Sequence, residues 1–88
     1  MKMTKIIEKN GNRAELICND TIRVYFGESG CAYEEYTFKD WENYGKHRAY
    51  IGINGKSAGY IDMIDGSVSG NKLNSEIAKL AIELYLAQ

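Results

Sequence analysis

Apolar and polar positions alternate with period two through most of this chain and shift to a helical period only near its end. The first pattern predicts short half-buried strands, and the second an amphipathic helix. In "AYIGINGKSAGYID" the Asn54-Gly55 pair is the preferred centre of a two-residue type I′ hairpin, because both positions need positive φ. A regular hairpin there places Ile53 opposite Lys56, Ile51 opposite Ala58 and Ala49 opposite Tyr60. The alternate face then pairs Gly52 with Ser57, Tyr50 with Gly59 and Arg48 with Ile61. A bulge near Gly59 would exchange the two faces beyond it. "TKIIEKNGNRAELIC" repeats the device at Asn10-Gly11, with Glu8 facing Arg13. Asn19-Asp20 turns the chain again, so the first part reads as strands over about residues 3–9, 13–18 and 21–26. "GESG" breaks the pattern at 27–30.

From Leu73 onward, Leu73, Ile77, Leu80 and Leu84 recur at helical spacing, capped by Asn71 or Asn74. Glu76, Lys79 and Glu83 fall on the opposite side, spaced for ion pairs. Ile82, Tyr85 and Leu86 widen the apolar stripe, which raises the expectation of a homodimer through the helix. In the middle, "AYEEYTF" predicts a strand over about 31–37 with Tyr36 and Phe38 inward and Tyr33 outward. Thr37, with Asp40 three residues on and Gly45 at a helix-stop position, predicts a helical turn over 38–44 anchored in the core by Phe38 and Trp41. These elements give an α+β fold, an antiparallel meander of five to six short strands with one C-terminal helix on a face. At 88 residues, it is expected to form a single domain over 1–88.

Composition narrows the chemistry. Proline is absent, so glycine and asparagine carry the turns. No run of about 18 apolar residues predicts a membrane span, and no secretory pattern is visible. A cytoplasmic protein without membrane association is therefore expected. The two cysteines, Cys18 and Cys31, are then expected to be reduced, Cys18 as a buried strand thiol and Cys31 near a turn. With a single histidine they make no zinc site. Asp62 and Asp65 supply too few oxygens for a divalent cation and read as a solvated strand end. "GINGKS" lacks the spacing of a phosphate-binding loop and lies between two strands. No cofactor is expected.

Net charge is −1 over the whole chain, which speaks against nucleic acid as a direct ligand. The acidity is concentrated. Residues 1–27 carry net +2, residues 28–44 net −4, and residues 45–88 net +1. The acidic segment holds "YEEYTFKDWENY", with five aromatic rings and four carboxylates in twelve residues. Eight of the ten aromatics in the chain fall between Tyr25 and Tyr50, more than a small core needs. Large aromatics with polar tips favour interfaces, and interleaved carboxylates favour a basic partner. The leading expectation is a non-enzymatic protein-binding module, an inhibitor or adaptor of the accessory type that phages and mobile elements encode. It would dock on a basic site of a larger protein through Tyr33, Glu34, Glu35, Asp40, Glu42 and Tyr44. One alternative is a single-stranded nucleic-acid binder that stacks bases on Tyr25, Tyr50 and Tyr60, beside Arg23, Lys46 and Arg48. Another is a small ribonuclease-like enzyme using His47 with Glu34 or Glu35.

Overall fold

The computed structural model describes residues 5–27 and 32–88. Among these residues seven strands follow one another in space as in sequence, each antiparallel to the next. They are β1 (Ile6–Lys9), β2 (Asn12–Cys18), β3 (Thr21–Phe26), β4 (Ala32–Asn43), β5 (Lys46–Ile53), β6 (Lys56–Asp62) and β7 (Val68–Ser69). A 3₁₀ turn over Asn71–Asn74 leads into α1 (Glu76–Leu86). The α+β meander with a C-terminal helix is as expected, with more strands, because the loop before the helix contributes the short β7. Cys31 and the first residues of the predicted first strand lie outside the described residues.

Asn10-Gly11 and Asn54-Gly55 turn as predicted, with positive φ at both central residues. Glu8 faces Arg13 in the first hairpin. The Asn19-Asp20 connection has no such φ values. A β-bulge at Ile17 accommodates it, with Leu16 opposite Ile22 and Cys18 opposite Thr21. Cys18 is a free, exposed thiol, not a buried one, because it sits at the strand end beyond the bulge.

The helical turn predicted over 38–44 is instead the second half of β4, which runs unbroken for twelve residues. Gly45 is not a helix stop. Tyr44 and Gly45, with φ 47 and 78, form a third turn of the positive-φ kind, between Asn43 and Lys46. Once Phe38 faces the core, strand parity sends Trp41 to the other side of the sheet. Trp41 is therefore half-buried on the outer face rather than a core anchor.

The 54–55 hairpin begins in the regular register and leaves it at a bulge beside Gly59, the place where the sequence allowed for one. Gly52 faces Ser57, but Ile51 faces Gly59, leaving Ala58 as the extra residue. Beyond it Tyr50 faces Tyr60, Ala49 faces Ile61 and Arg48 faces Asp62. These replace the regular pairings of Ile51 with Ala58, Ala49 with Tyr60, Tyr50 with Gly59 and Arg48 with Ile61. The cause is a close crossing of backbones. Gly59 (φ 150) would place a Cβ 2.0 Å from the Ser69 carbonyl oxygen, and Gly70 (φ 132) would place one 2.2 Å from that of Ala58. Only glycine at both positions lets the chain leaving β7 lie against the bulge.

One face of the sheet is covered. Ala14, Ile22, Val24, Tyr36, Phe38, Ala49, Ile51 and Ile61 meet Leu73, Ala78, Leu80, Ala81, Ile82 and Leu84, all buried. Helix α1 lies chiefly over β2 and β3. Its cap is Ser75, whose Oγ accepts from the Ala78 N–H at 3.0 Å, one residue beyond the expected Asn74. Glu76 accepts from the Asn10 amide at 2.7 Å and Glu83 from Lys9 Nζ at 3.2 Å, so the helix is tied to the first turn. Much of the extra width of the apolar stripe is used within the chain. Ile82 is buried, and the Tyr85 ring stacks on Phe38 with centroids 4.2 Å apart. Leu86 stays exposed.

The glycine crossing yields a direct prediction. Gly59→Ala and Gly70→Ala should each destabilise by more than about 2 kcal/mol in urea unfolding, since the added methyl meets backbone oxygen. Gly66→Ala, with positive φ but open space around it, should cost about 1 kcal/mol.

Candidate functional site

The period of two divides the acidic, aromatic segment between the two faces of the sheet. Even-numbered residues of β4 share the helix side with Tyr36 and Phe38, and odd-numbered ones point away. Of the six residues expected to form one docking surface, Glu34, Asp40 and Glu42 lie on the helix side. Tyr33 and Glu35 lie on the open side. Tyr44 stands at the hairpin tip, 97% exposed. The six are not brought together.

On the helix side each acid has its own setting. Glu34 accepts from the Tyr36 hydroxyl at 2.8 Å and lines a groove with Phe26, Ile53, Ala58 and Ile77. Burial, then this carboxylate, holds the Tyr36 phenol well above the usual tyrosine range. Asp40 Oδ1 lies 2.6 Å from His47 Nε2, and Glu42 stands directly across from His47. His47 thus has a carboxylate partner, but not Glu34 or Glu35, which belong to the far half of β4. A histidine–carboxylate pair can hold and orient a proton. Among the described residues no three His, Cys, Asp or Glu side chains come together as a metal site. Asp62 and Asp65 serve their own loop. Asp62 Oδ1 accepts from the Ile64 and Asp65 amides, and Asp65 Oδ1 from that of Ser67. The Ser67 bonds hold the Asp65 carboxyl below its ordinary range.

The open side carries a different constellation. Tyr25 and Tyr33 face each other across β3 and β4 with ring centroids 5.3 Å apart. Trp41 meets Tyr50 edge-on at 6.0 Å, and Tyr50 meets Tyr60 at 5.6 Å. Three guanidinium groups lie over these rings: Arg13 over Tyr25 at 5.0 Å, Arg23 over Tyr33 at 4.9 Å and Arg48 over Tyr60 at 4.4 Å. These distances are those of cation–π contacts. Arg13 Nε also donates to Glu15 at 2.6 Å, Arg23 Nε to Glu35 at 3.0 Å and Arg48 to the Tyr50 hydroxyl at 3.2 Å. The Glu35 bond raises the Arg23 pKa further. Between the two aromatic groups runs a row of smaller residues, Thr21, Thr37, Gly52 and Ser57.

This face was partly foreseen. Tyr25, Tyr50 and Tyr60 do share it with Arg23, Lys46 and Arg48. The contributions of Trp41 and Arg13 were missed. Their signal was the alternation itself, in Arg13-x-Glu15 and Lys39-x-Trp41 as in Arg23-x-Tyr25, Tyr33-x-Glu35 and Arg48-x-Tyr50. The bulge at Ala58 completes the face, because without it Tyr60 would turn toward the helix and Ile61 outward.

The Tyr36–Glu34 contact makes a pH-dependent prediction. Because the folded phenol titrates above the unfolded value of about 10, its stabilising contribution is complete below pH ~10 and is lost as pH rises through the folded pKa. Tyr36→Phe should cost about 1 kcal/mol at neutral pH. It should also flatten the fall in stability above pH ~10, read from urea midpoints across alkaline pH. Some alkaline sensitivity should remain through Tyr85, whose phenol is raised by burial and by Asp40 and Asp20.

No helix among the described residues is long and apolar enough to cross a membrane. Comparison with protein-family models, with curated proteins and with solved structures finds no match for the chain.

Proposed function

We propose that the protein is a non-enzymatic protein-binding module, an inhibitor or adaptor, and that it docks through the open face of its sheet. One observation carries this reading: the uncovered face presents a band of tyrosine, tryptophan and arginine, the residues that dominate binding energy at protein interfaces. Contacts among the rings and guanidiniums already hold them in place, so little side-chain freedom is lost on docking.

The charge of the face decides the kind of partner. Arg13, Arg23, Lys39, Lys46 and Arg48 share it with Glu8, Glu15, Glu35 and Asp62, so it is nearly neutral. A partner surface of mixed charge fits it better than a uniformly basic one. The ring and guanidinium layer also favours a second reading, single-stranded nucleic acid. Against that, Arg13 and Arg23 are already bonded to carboxylates, which leaves little net positive field for a phosphate backbone.

The test is capture from nuclease-treated host lysate, identification of the captured protein, and calorimetric titration of the purified pair. Tyr33→Ala and Tyr50→Ala are each expected to weaken binding by roughly 30-fold, the scale of an aromatic hot spot, while Lys79→Ala leaves it unchanged. Labelled oligo-dT and oligo-rU at low salt should show no binding. Binding that falls steeply with salt would replace this proposal with the nucleic-acid reading.

A further inference from the structure

Among the described residues, three two-residue turns have a non-glycine residue at positive φ. Asn10-Gly11, Tyr44-Gly45 and Asn54-Gly55 share one backbone geometry, with φ of 53, 47 and 50 at the first central residue. Asparagine suits that left-handed position, because its short polar side chain can bond locally. Tyrosine does not, since its Cβ crowds the following carbonyl without such a bond. A bulky residue held there is strained, and strain of this kind gathers at sites of function.

Packing does not explain Tyr44. It is 97% exposed, and the ring, cation and hydrogen-bond contacts found among the described residues do not include it. The hairpin beneath it projects. Strand β3 pairs with β4 only as far as Thr37, and β6 pairs with β5 only as far as Arg48. The Met63 N–H still donates to the His47 carbonyl at 2.8 Å, and past that bond residues 43–46 form a short two-stranded finger. The aromatic band Tyr60–Tyr50–Trp41 runs along the open face toward its tip.

We propose that Tyr44 is a binding anchor, carried on this finger into a cleft of the partner protein. The proposal rests on the protein-binding reading and extends it from the sheet face to the tip. A single ring on a convex turn is buried well only by a concave site. The fitting cleft has apolar walls wide enough for one phenol and a polar group at its floor for the hydroxyl. Around the tip Glu42 and Asp40 outnumber Lys46, which leaves no positive excess for a phosphate backbone, so a protein cleft is the occupant rather than nucleic acid.

The signature is opposition between stability and binding. Tyr44→Asn restores the residue used in the other two turns and should raise the folding equilibrium constant about five-fold, while weakening partner binding at least ten-fold. The photo-reactive p-benzoylphenylalanine is placed at position 44, at position 50 on the open face, or at position 79 on the exposed helix side as background. Each full-length protein is irradiated in host lysate with unlabelled competitor. The expected result is a discrete adduct at 44 that wild-type protein competes away and the more stable Tyr44→Asn protein does not. An adduct at 50 with none at 44 overturns the anchor and leaves the open-face reading standing. An adduct at 44 with none at 50 supports the anchor and removes the open face. Adducts at neither position overturn both. A signal at 44 no stronger than at 79, or a Tyr44→Asn protein no more stable than wild type, overturns the anchor.

Discussion

A β-strand turns successive side chains to opposite faces, and in this protein that constraint decides almost everything about the surface. Once Ile22, Val24, Tyr36, Phe38 and Ile51 are committed to the core, every neighbour at odd spacing is committed to the open face. Tyr33 and Glu34 are adjacent in sequence yet belong to different surfaces. A single extra residue, Ala58, reverses the rule for the rest of β6. It turns Ile61 into the core and Tyr60 outward, over which Arg48 then lies. The crossing of Gly59 and Gly70 fixes that bulge, so two residues without side chains determine where Tyr60 points.

The fold has two layers, and its helix covers one face of the sheet. The open face is finished by side chains that cover one another. Arginine stems and guanidiniums lie over tyrosine rings, while their nitrogens reach carboxylates or a hydroxyl. Each exposed contact of this kind is worth a fraction of a kcal/mol to about 1 kcal/mol, so the layer adds modestly to stability. Its larger effect is to restrict rotamers on a face that would otherwise be mobile. A surface ordered before it meets a partner loses less entropy on binding, which connects the packing of this layer to the function proposed for it.

Local chemistry was legible where it was self-sufficient. Asn10-Gly11 and Asn54-Gly55 announced their turns because asparagine and glycine tolerate positive φ better than other residues. The helix announced itself by spacing, although its cap fell on Ser75 because Leu73 enters the core from a 3₁₀ turn. Tyr44-Gly45 was unreadable as a turn for the converse reason. Tyrosine is disfavoured at that position, so Gly45 suggested a helix stop and Trp41 a core anchor. Both inferences failed together, because continuing β4 past Thr37 settles the face of every later residue. Among the candidate site residues, the outward placement of Tyr33 followed from the pattern. Grouping Glu34, Asp40 and Glu42 with it did not survive, since proximity along a strand is not proximity on a surface.

By itself the sequence determined the class of fold, the sites of two of its tight hairpin turns, the inward residues of the central strands and the helix that closes the core. These depend on short-range propensity and on period, which a chain carries wherever it goes. Only the tertiary structure decided the full contents of the open face, the third tight turn with its exposed tyrosine, and that the register does shift at Ala58. Those features arise from contacts between residues far apart in the chain, above all the close approach of Ala58–Gly59 to Ser69–Gly70, and no local pattern encodes such a meeting.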